Sequence, residues 1–234
     1  MIGFYDYTVI LTYCSLLSAI GGMTFAFHNR LIPSILCLLL CGLFDMFDGK
    51  VARTKKNRTQ EEKSFGIQID SLSDVVAFGI LPAVIAICIS NGVWYVCLTA
   101  GLYALAGLIR LAYFNVTEEI RQASTDECRK TYSGLPITSA ALIFPAFFGI
   151  MGVYCLNMDD FALLYTLFEG GIFTVLLAGV LVITGLLFIV PIRVRKPRTR
   201  ELWIFLVIGV LLAGLLLGIA MIRGNFGWFG HNHR

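Results

Sequence analysis

Long apolar runs alternate with short polar ones along the whole chain. Seven runs come close to the ~20 residues a helix needs to cross a hydrocarbon core. They fall at roughly 7–27, 31–53, 66–89, 92–115, 136–156, 171–190 and 202–222. The residue-by-residue alternation of an outer-membrane barrel is absent, so the spans are read as helices, which satisfy their own backbone groups. The predicted fold class is therefore all-α: one polytopic integral membrane domain over residues 1–234, with about seven transmembrane helices. The stretch 158–170 holds a short apolar piece, 161–168, that reads as a re-entrant turn, an interfacial helix or part of an eighth span.

Composition agrees with this pattern. Only 14% of the 234 residues are charged and the mean hydropathy is +0.81, against about 25% charged residues in a soluble domain. The first run has no basic residue before it and is too long for a signal-peptide core, so it is expected to stay as a span. The seven cysteines lie mostly inside apolar runs and form no C-x-x-C pair, which makes them membrane-buried hydrophobes. The net charge of +3 gives no sign of a nucleic-acid partner.

The basic residues sort the loops. Lys50, Arg53, Lys55, Lys56, Arg58 and Lys63 lie at the end of span two and in the loop after it. Arg121, Arg129 and Lys130 follow span four, and Arg193, Arg195, Lys196, Arg198 and Arg200 follow span six. These fourteen lie on one side, against Arg30, Arg223 and Arg234 on the other. The positive-inside rule then predicts a cytoplasmic N-terminus and an outside C-terminus. Apart from Lys50 and Arg53 at the very end of span two, Arg110 alone among the basic residues falls inside a span.

Four acids are also inside spans: Asp45, Asp48, Asp70 and Asp74. Ionisable groups at membrane depth have partners or a job. On a helix, Asp45, Asp48, Gly49 and Ala52 share one face, and so do Gly66, Asp70 and Asp74. The two faces can oppose each other across the 54–65 loop, near the cytoplasmic border. Four carboxylates in one half-buried place cannot all ionise without help. Mg²⁺ or Mn²⁺ resolves this, since hard cations take carboxylate oxygens and substrate phosphates together. Two such ions would clamp a phosphoryl displacement. Gly49, Ala52 and Gly66 leave room for a bulky polar ligand, and Arg53 could meet a phosphate. The competing explanation for the small residues is helix packing.

The pattern Asp45-x-x-Asp48-Gly49-x-x-Ala52-Arg53, then Gly66-x-x-x-Asp70-x-x-x-Asp74, resembles the motif of the CDP-alcohol phosphotransferase family. The twelve-residue spacer between Arg53 and Gly66 is a few residues longer than is usual there. The extra length falls in a charged loop, where insertions cost little. The resemblance implies a six-helix core, commonly dimeric, with its site open to the cytoplasm. It implies that Asp45, Asp48, Asp70 and Asp74 bind metal, with Asp74 a ligand or the general base. It implies that Asp48, Gly49, Ala52, Arg53, Gly66 and Asp70 hold the cytidine diphosphate. The span at about 202–222 is additional to that core.

"DSLSDVVAFGILPA" (70–83), "RLAYFNV" (110–116) and "SGLPITSAALIFP" (133–145) resemble the serine-using branch. The expected reaction is transfer of a phosphatidyl group from CDP-diacylglycerol to the hydroxyl of L-serine, with CMP leaving. Glycerol 3-phosphate or inositol phosphate is the alternative acceptor. Arg110 and Asn115 are candidates for the serine carboxylate or a phosphate; alternatively, Arg110 pairs with an aspartate or snorkels. Ser133 and Gly134, just before Pro136, could offer backbone N–H groups to an anion, or simply begin a helix. Expected partners are these substrates, membrane lipids and a second copy of the chain.

Three other readings fit the sequence less well. An intramembrane prenyltransferase also uses aspartates and Mg²⁺, but lacks the Gly49/Ala52/Arg53 continuation. A cation transporter would place acids near the midplane or on both sides of it. The terminal HNHR has no fold around it, and His28, His231 and His233 are too distant from the acids to be ligands.

Overall fold

The computed structural model describes residues 3–55, 57–124, 131–156, 171–195 and 199–223. The helices are α1 (Ile10–Phe27), α2 (Leu31–Ala52), α3 (Gln60–Asp74), α4 (Leu81–Ile89), α5 (Trp94–Ser124), α6 (Ala140–Leu156), α7 (Ile172–Ile189) and α8 (Thr199–Arg223). A π-helical stretch, Val75–Ile80, joins α3 and α4 into one continuous span. Among the described residues, seven helical segments are long and apolar enough to cross a membrane, and they match the expected spans. The chain is an integral membrane protein. The 158–170 stretch and the terminal His231 and His233 lie outside the described residues.

Small residues set the first contact. The buried positions of α1 are Thr12, Ser15, Ala19, Gly22 and Ala26. Their 3–4–3–4 spacing makes one seam, and their size lets a neighbouring backbone approach closely. Hydrogen bonds cross that seam: Ser34 Oγ donates to the Gly22 carbonyl at 2.7 Å and Cys41 Sγ to the Ser15 carbonyl at 3.3 Å. The short turn between the helices closes because Asn29 adopts φ 57°, and Arg30 N–H reaches back to the Phe25 carbonyl. Asn91 repeats the device after α4 with φ 50°.

Around this pair, α4 packs on α1 and α5, α7 lies along α5, and α6 sits between α2 and α8. Phe78, Tyr103, Phe144, Phe148 and Phe173 fill the interior. The outer surface is apolar too: Leu98, Leu102, Leu105 and Ile109 on α5 and Val207, Leu211 and Met221 on α8 are exposed. A soluble protein rarely tolerates such a surface, whereas lipid requires it. Cys14, Cys37, Cys41, Cys88 and Cys97 are free thiols.

One small element departs from the all-helical expectation. Thr131–Ser133 pairs antiparallel with Arg193–Arg195, so that Ser133 faces Arg193. This ribbon ties the basic loop after α5 to the basic loop after α7, at one end of the bundle. Gly134 follows it with φ 79°. Its N–H donates to the Ile192 carbonyl at 2.8 Å, and the Leu135 N–H to the Leu187 carbonyl at 3.0 Å. Of the stretch expected to offer N–H groups to an anion, the Gly134 and Leu135 N–H groups are therefore committed to backbone carbonyls.

Candidate active site

The acid face of α2 continues its core face. Ser34, Leu38 and Cys41 are buried, and the same 4–3–4–3–4 spacing carries on through Asp45, Asp48 and Ala52. A stripe that is apolar for its first three turns becomes ionisable where α2 nears its C-terminus. The partner face belongs to α3. A capping box starts α3: the Glu62 N–H donates to Thr59 Oγ1 at 3.1 Å and the Thr59 N–H to Glu62 Oε2 at 3.0 Å. From that start, Gly66, Asp70 and Asp74 fall at successive four-residue steps, and Ser73 anchors the helix on α1 through the Thr12 carbonyl at 3.2 Å.

One carboxylate oxygen from each of Asp45, Asp70 and Asp74 lies within 4.8 Å of the others. Asp74 is buried, 9% exposed, while Asp45 and Asp70 are half-buried. At an effective dielectric constant of about 20, two unit charges at such a distance repel by roughly 3 kcal/mol. The donor set is all oxygen, the chemistry of a hard divalent cation, and this trio can hold one. The fourth acid, Asp48, is not part of this group. It accepts a short hydrogen bond from the Gly49 N–H and interacts directly with Asp70.

The other expected site residues divide. Arg110 on α5 is within electrostatic reach of Asp45 and Asp74, and its guanidinium lies 5.9 Å from the centre of the Phe114 ring. Asn115 is joined to the acid-bearing helix, because Ser71 Oγ donates to Asn115 Oδ1 at 3.0 Å. Gly49 and Ala52 line the same end of α2, and a side chain at Gly49 would approach Arg53 Nη1 at 3.9 Å. Arg53 itself is exposed at the C-terminal end of α2. Ser133 lies in the ribbon, with Gly134 buried beside it.

Two features are not legible in the sequence. Arg58 places Nη2 only 2.6 Å from where a Cβ on Gly66 would stand. The loop that carries Arg58 is tied down by Lys55, which pairs with Asp6 at 2.6 Å and Glu62 at 3.1 Å. A basic run followed by Glu61 and Glu62 is a weak signal of this order; nothing in it points to the Gly66 contact.

A seven-span helical bundle with a convergent trio of carboxylates near one end defines a membrane protein with a hard-cation type of site. Its family is established by comparison: the chain belongs to the CDP-alcohol phosphatidyltransferase family, whose profile matches residues 8–190. It is similar to the CDP-diacylglycerol–serine O-phosphatidyltransferase of Saccharomyces cerevisiae, 39% identical over 108 residues, or 45% of this chain and 38% of the relative. It is similar to the archaetidylserine synthase of Methanothermobacter thermautotrophicus, 34% identical over 143 residues, or 61% of this chain and 54% of the relative. A CDP-diacylglycerol–serine O-phosphatidyltransferase of Helicobacter pylori is 28% identical over 206 residues, 80% of this chain and 75% of that one. The chain thus spans only part of the length of the first two relatives.

Proposed function

We propose that the chain transfers a phosphatidyl group from CDP-diacylglycerol to the hydroxyl of L-serine, giving phosphatidylserine and CMP. The observation that carries this reading is the Asp45–Asp70–Asp74 trio, standing inside the family's motif in a chain whose relatives bear serine-transferase names. Asp45, Asp48, Asp70 and Asp74 would hold one or two Mg²⁺ or Mn²⁺ ions. Bound cations would offset charge on the diphosphate as CMP departs. Gly49, Ala52 and Gly66 leave space for the nucleotide, and Arg53 is available to a phosphate from the exposed side.

Asp74 is the buried member of the trio, and burial suits a base that takes the proton of the attacking hydroxyl. Arg110 and Asn115 are assigned to the serine side, with Arg110 offering its guanidinium to the carboxylate. Ser133 and Gly134 would bound that side from the ribbon. Span alternation puts the Lys- and Arg-rich segments after α2, α5 and α7 on the side where α2 carries its acids, which supports a site and N-terminus facing the cytoplasm, with the C-terminus outside. The match to residues 8–190 covers six spans; α8 is taken as an addition to that core within one domain, and a homodimer as its assembly.

The test is product formation by detergent-purified protein given CDP-diacylglycerol and Mg²⁺ or Mn²⁺, comparing L-serine with glycerol 3-phosphate and inositol phosphate. CMP and phosphatidylserine are expected with serine alone. CMP with a different alcohol would keep the metal site and discard the serine assignment. No CMP from folded protein with any alcohol would overturn the reading.

A further inference from the structure

The loop between α2 and α3 is the longest departure from the motif, and the capping box gives it order. Thr59 begins α3, Glu62 closes the box, and Lys55 bridges Glu62 to Asp6. Thr54 Oγ1 adds a contact to the Tyr7 hydroxyl at 3.2 Å. Arg58 immediately precedes the N-cap. Its side chain turns along α3: Nη2 donates to the Glu62 carbonyl at 3.1 Å, and the guanidinium rests on the bare backbone of Gly66. There Nε is buried and has no hydrogen-bond partner among the described residues. A buried N–H of a permanent cation is costly to leave unmet. Gly66 and Asp70 stand one turn apart on the same face, so the seat of the guanidinium lies about one helical turn along α3 from an acid of the cluster.

We propose that Arg58 is an anion-binding residue of the active site, taking a phosphate of the lipid-linked nucleotide from its seat on Gly66. This rests on the reading of CDP-diacylglycerol as substrate. The absence of a side chain at Gly66 then has two uses, since it admits the guanidinium and leaves the nucleotide beside it. The guanidinium fork matches a phosphate bidentately, which a lysine ammonium cannot do. Arg58 lies outside the motif, in the lengthened spacer, so it supplies a positive charge that the motif residues alone do not.

The experiment measures KM for CDP-diacylglycerol and for the alcohol separately in wild type, Arg58→Gln and Arg58→Lys. It adds calorimetric binding of CDP in the presence of Mn²⁺. In Arg58→Gln, KM for CDP-diacylglycerol and Kd for CDP should rise about tenfold to a hundredfold, with KM for the alcohol unchanged. Arg58→Lys should recover part of that loss. Gly66→Ala should displace the guanidinium, so its loss and that of Arg58→Gln should be less than additive in the double variant. A KM for CDP-diacylglycerol and a CDP affinity within twofold of wild type in Arg58→Gln would overturn the proposal. So would a shift confined to the alcohol, which would make the anion a carboxylate. If Arg58→Gln does not fold, wild-type nucleotide affinity in Arg58→Lys overturns it. If the wild type releases no CMP, the functional reading fails, and the CDP titration still decides the role of Arg58.

Discussion

Tyr103 donates its hydroxyl to the Phe78 carbonyl at 2.5 Å. In an α-helix that carbonyl would accept from residue 82, but Pro82 has no N–H. The span carrying Asp70 and Asp74 passes through a π-helical stretch just before the proline, and a side chain from α5 donates to a carbonyl of that stretch. Tyr103 is 1% exposed and meets Phe144 and Phe188 edge-on or tilted at 5.5 Å.

Removing that hydroxyl tests its worth. Tyr103→Phe keeps the ring packing and strands a buried carbonyl, a loss of about 1–3 kcal/mol. The apparent melting temperature in detergent should fall. Turnover should fall as well, with little change in either KM, because the π stretch begins at the residue after Asp74. A wild-type melting temperature would mean the carbonyl has found another partner.

Asp74→Asn preserves shape and removes a negative charge and a base. On the proposed reading, kcat should drop by about 10²–10⁴-fold while CDP still binds. Asp45→Asn and Asp70→Asn should instead raise the Mg²⁺ or Mn²⁺ concentration needed for half-maximal rate. Chelation of divalent ions should abolish turnover in the wild type, and adding either ion should restore it. An Asp74→Asn variant with near-normal kcat would remove it as the base.

Much of this architecture is legible in the sequence because lipid imposes simple rules. Run length gives the spans, and the 3–4 spacing that buries Ser15, Ala19 and Gly22 in α1 also aligns Asp45, Asp48, Gly66, Asp70 and Asp74. What stays hidden is set by contacts between distant segments. Tyr103 reads as one more aromatic in an apolar run until Pro82 and Phe78 are seen beside it. The ribbon of Thr131–Ser133 with Arg193–Arg195 joins loops about 60 residues apart, each too short to carry a β pattern. Asp48 shares the spacing of Asp45 but lies against Asp70, outside the trio, because periodicity fixes a face and not a side-chain direction.

Gly134 is held by geometry that only glycine meets. Its φ is 79°, and a Cβ there would stand 2.6 Å from the Phe188 carbonyl oxygen. Gly134→Ala adds a left-handed strain of roughly 1–3 kcal/mol to a clash with backbone that cannot swing away. Lower expression and a lower apparent melting temperature are expected. Unchanged thermal stability would show that the turn has another conformation open to it.

The Asp6–Lys55 pair sets a pH window. The Lys55 ammonium at 2.6 Å holds the Asp6 carboxyl below its ordinary range, and Asp6 in turn, with Glu62, raises Lys55. The lowered acid contributes above its unfolded value and is lost as pH falls through the lowered one. The raised lysine contributes below its ordinary value and is lost only as pH rises through the raised one. The tie therefore holds across neutral pH and fails first on strong acidification. The pair is only part-buried, its side chains 29% and 18% exposed, so salt should weaken it. Amide exchange at 54–59 should quicken in Asp6→Asn at neutral pH, and in the wild type in acid. Equal exchange in variant and wild type would remove the tie as the source of loop order.

Asn115 gives the sharpest test of the acceptor side. Ser71 follows Asp70 directly, and its hydroxyl donates to Asn115 Oδ1 at 3.0 Å. That bond orients the amide and leaves its NH₂ group to donate elsewhere. Arg110 lies five residues earlier on the same helix, within electrostatic reach of Asp45 and Asp74. If these two groups receive the serine carboxylate, Arg110→Ala and Asn115→Ala should each raise KM for serine by at least about tenfold, with KM for CDP-diacylglycerol little changed. Asn115→Asp puts an acceptor where a donor is needed and should be worse than alanine, since it repels the carboxylate. Ser71→Ala should have a smaller effect of the same kind, because it loosens the amide without removing it. A variant pair that loses kcat at unchanged serine KM would instead assign Arg110 and Asn115 to the acid cluster, holding its charges in place, and the serine carboxylate would need another partner.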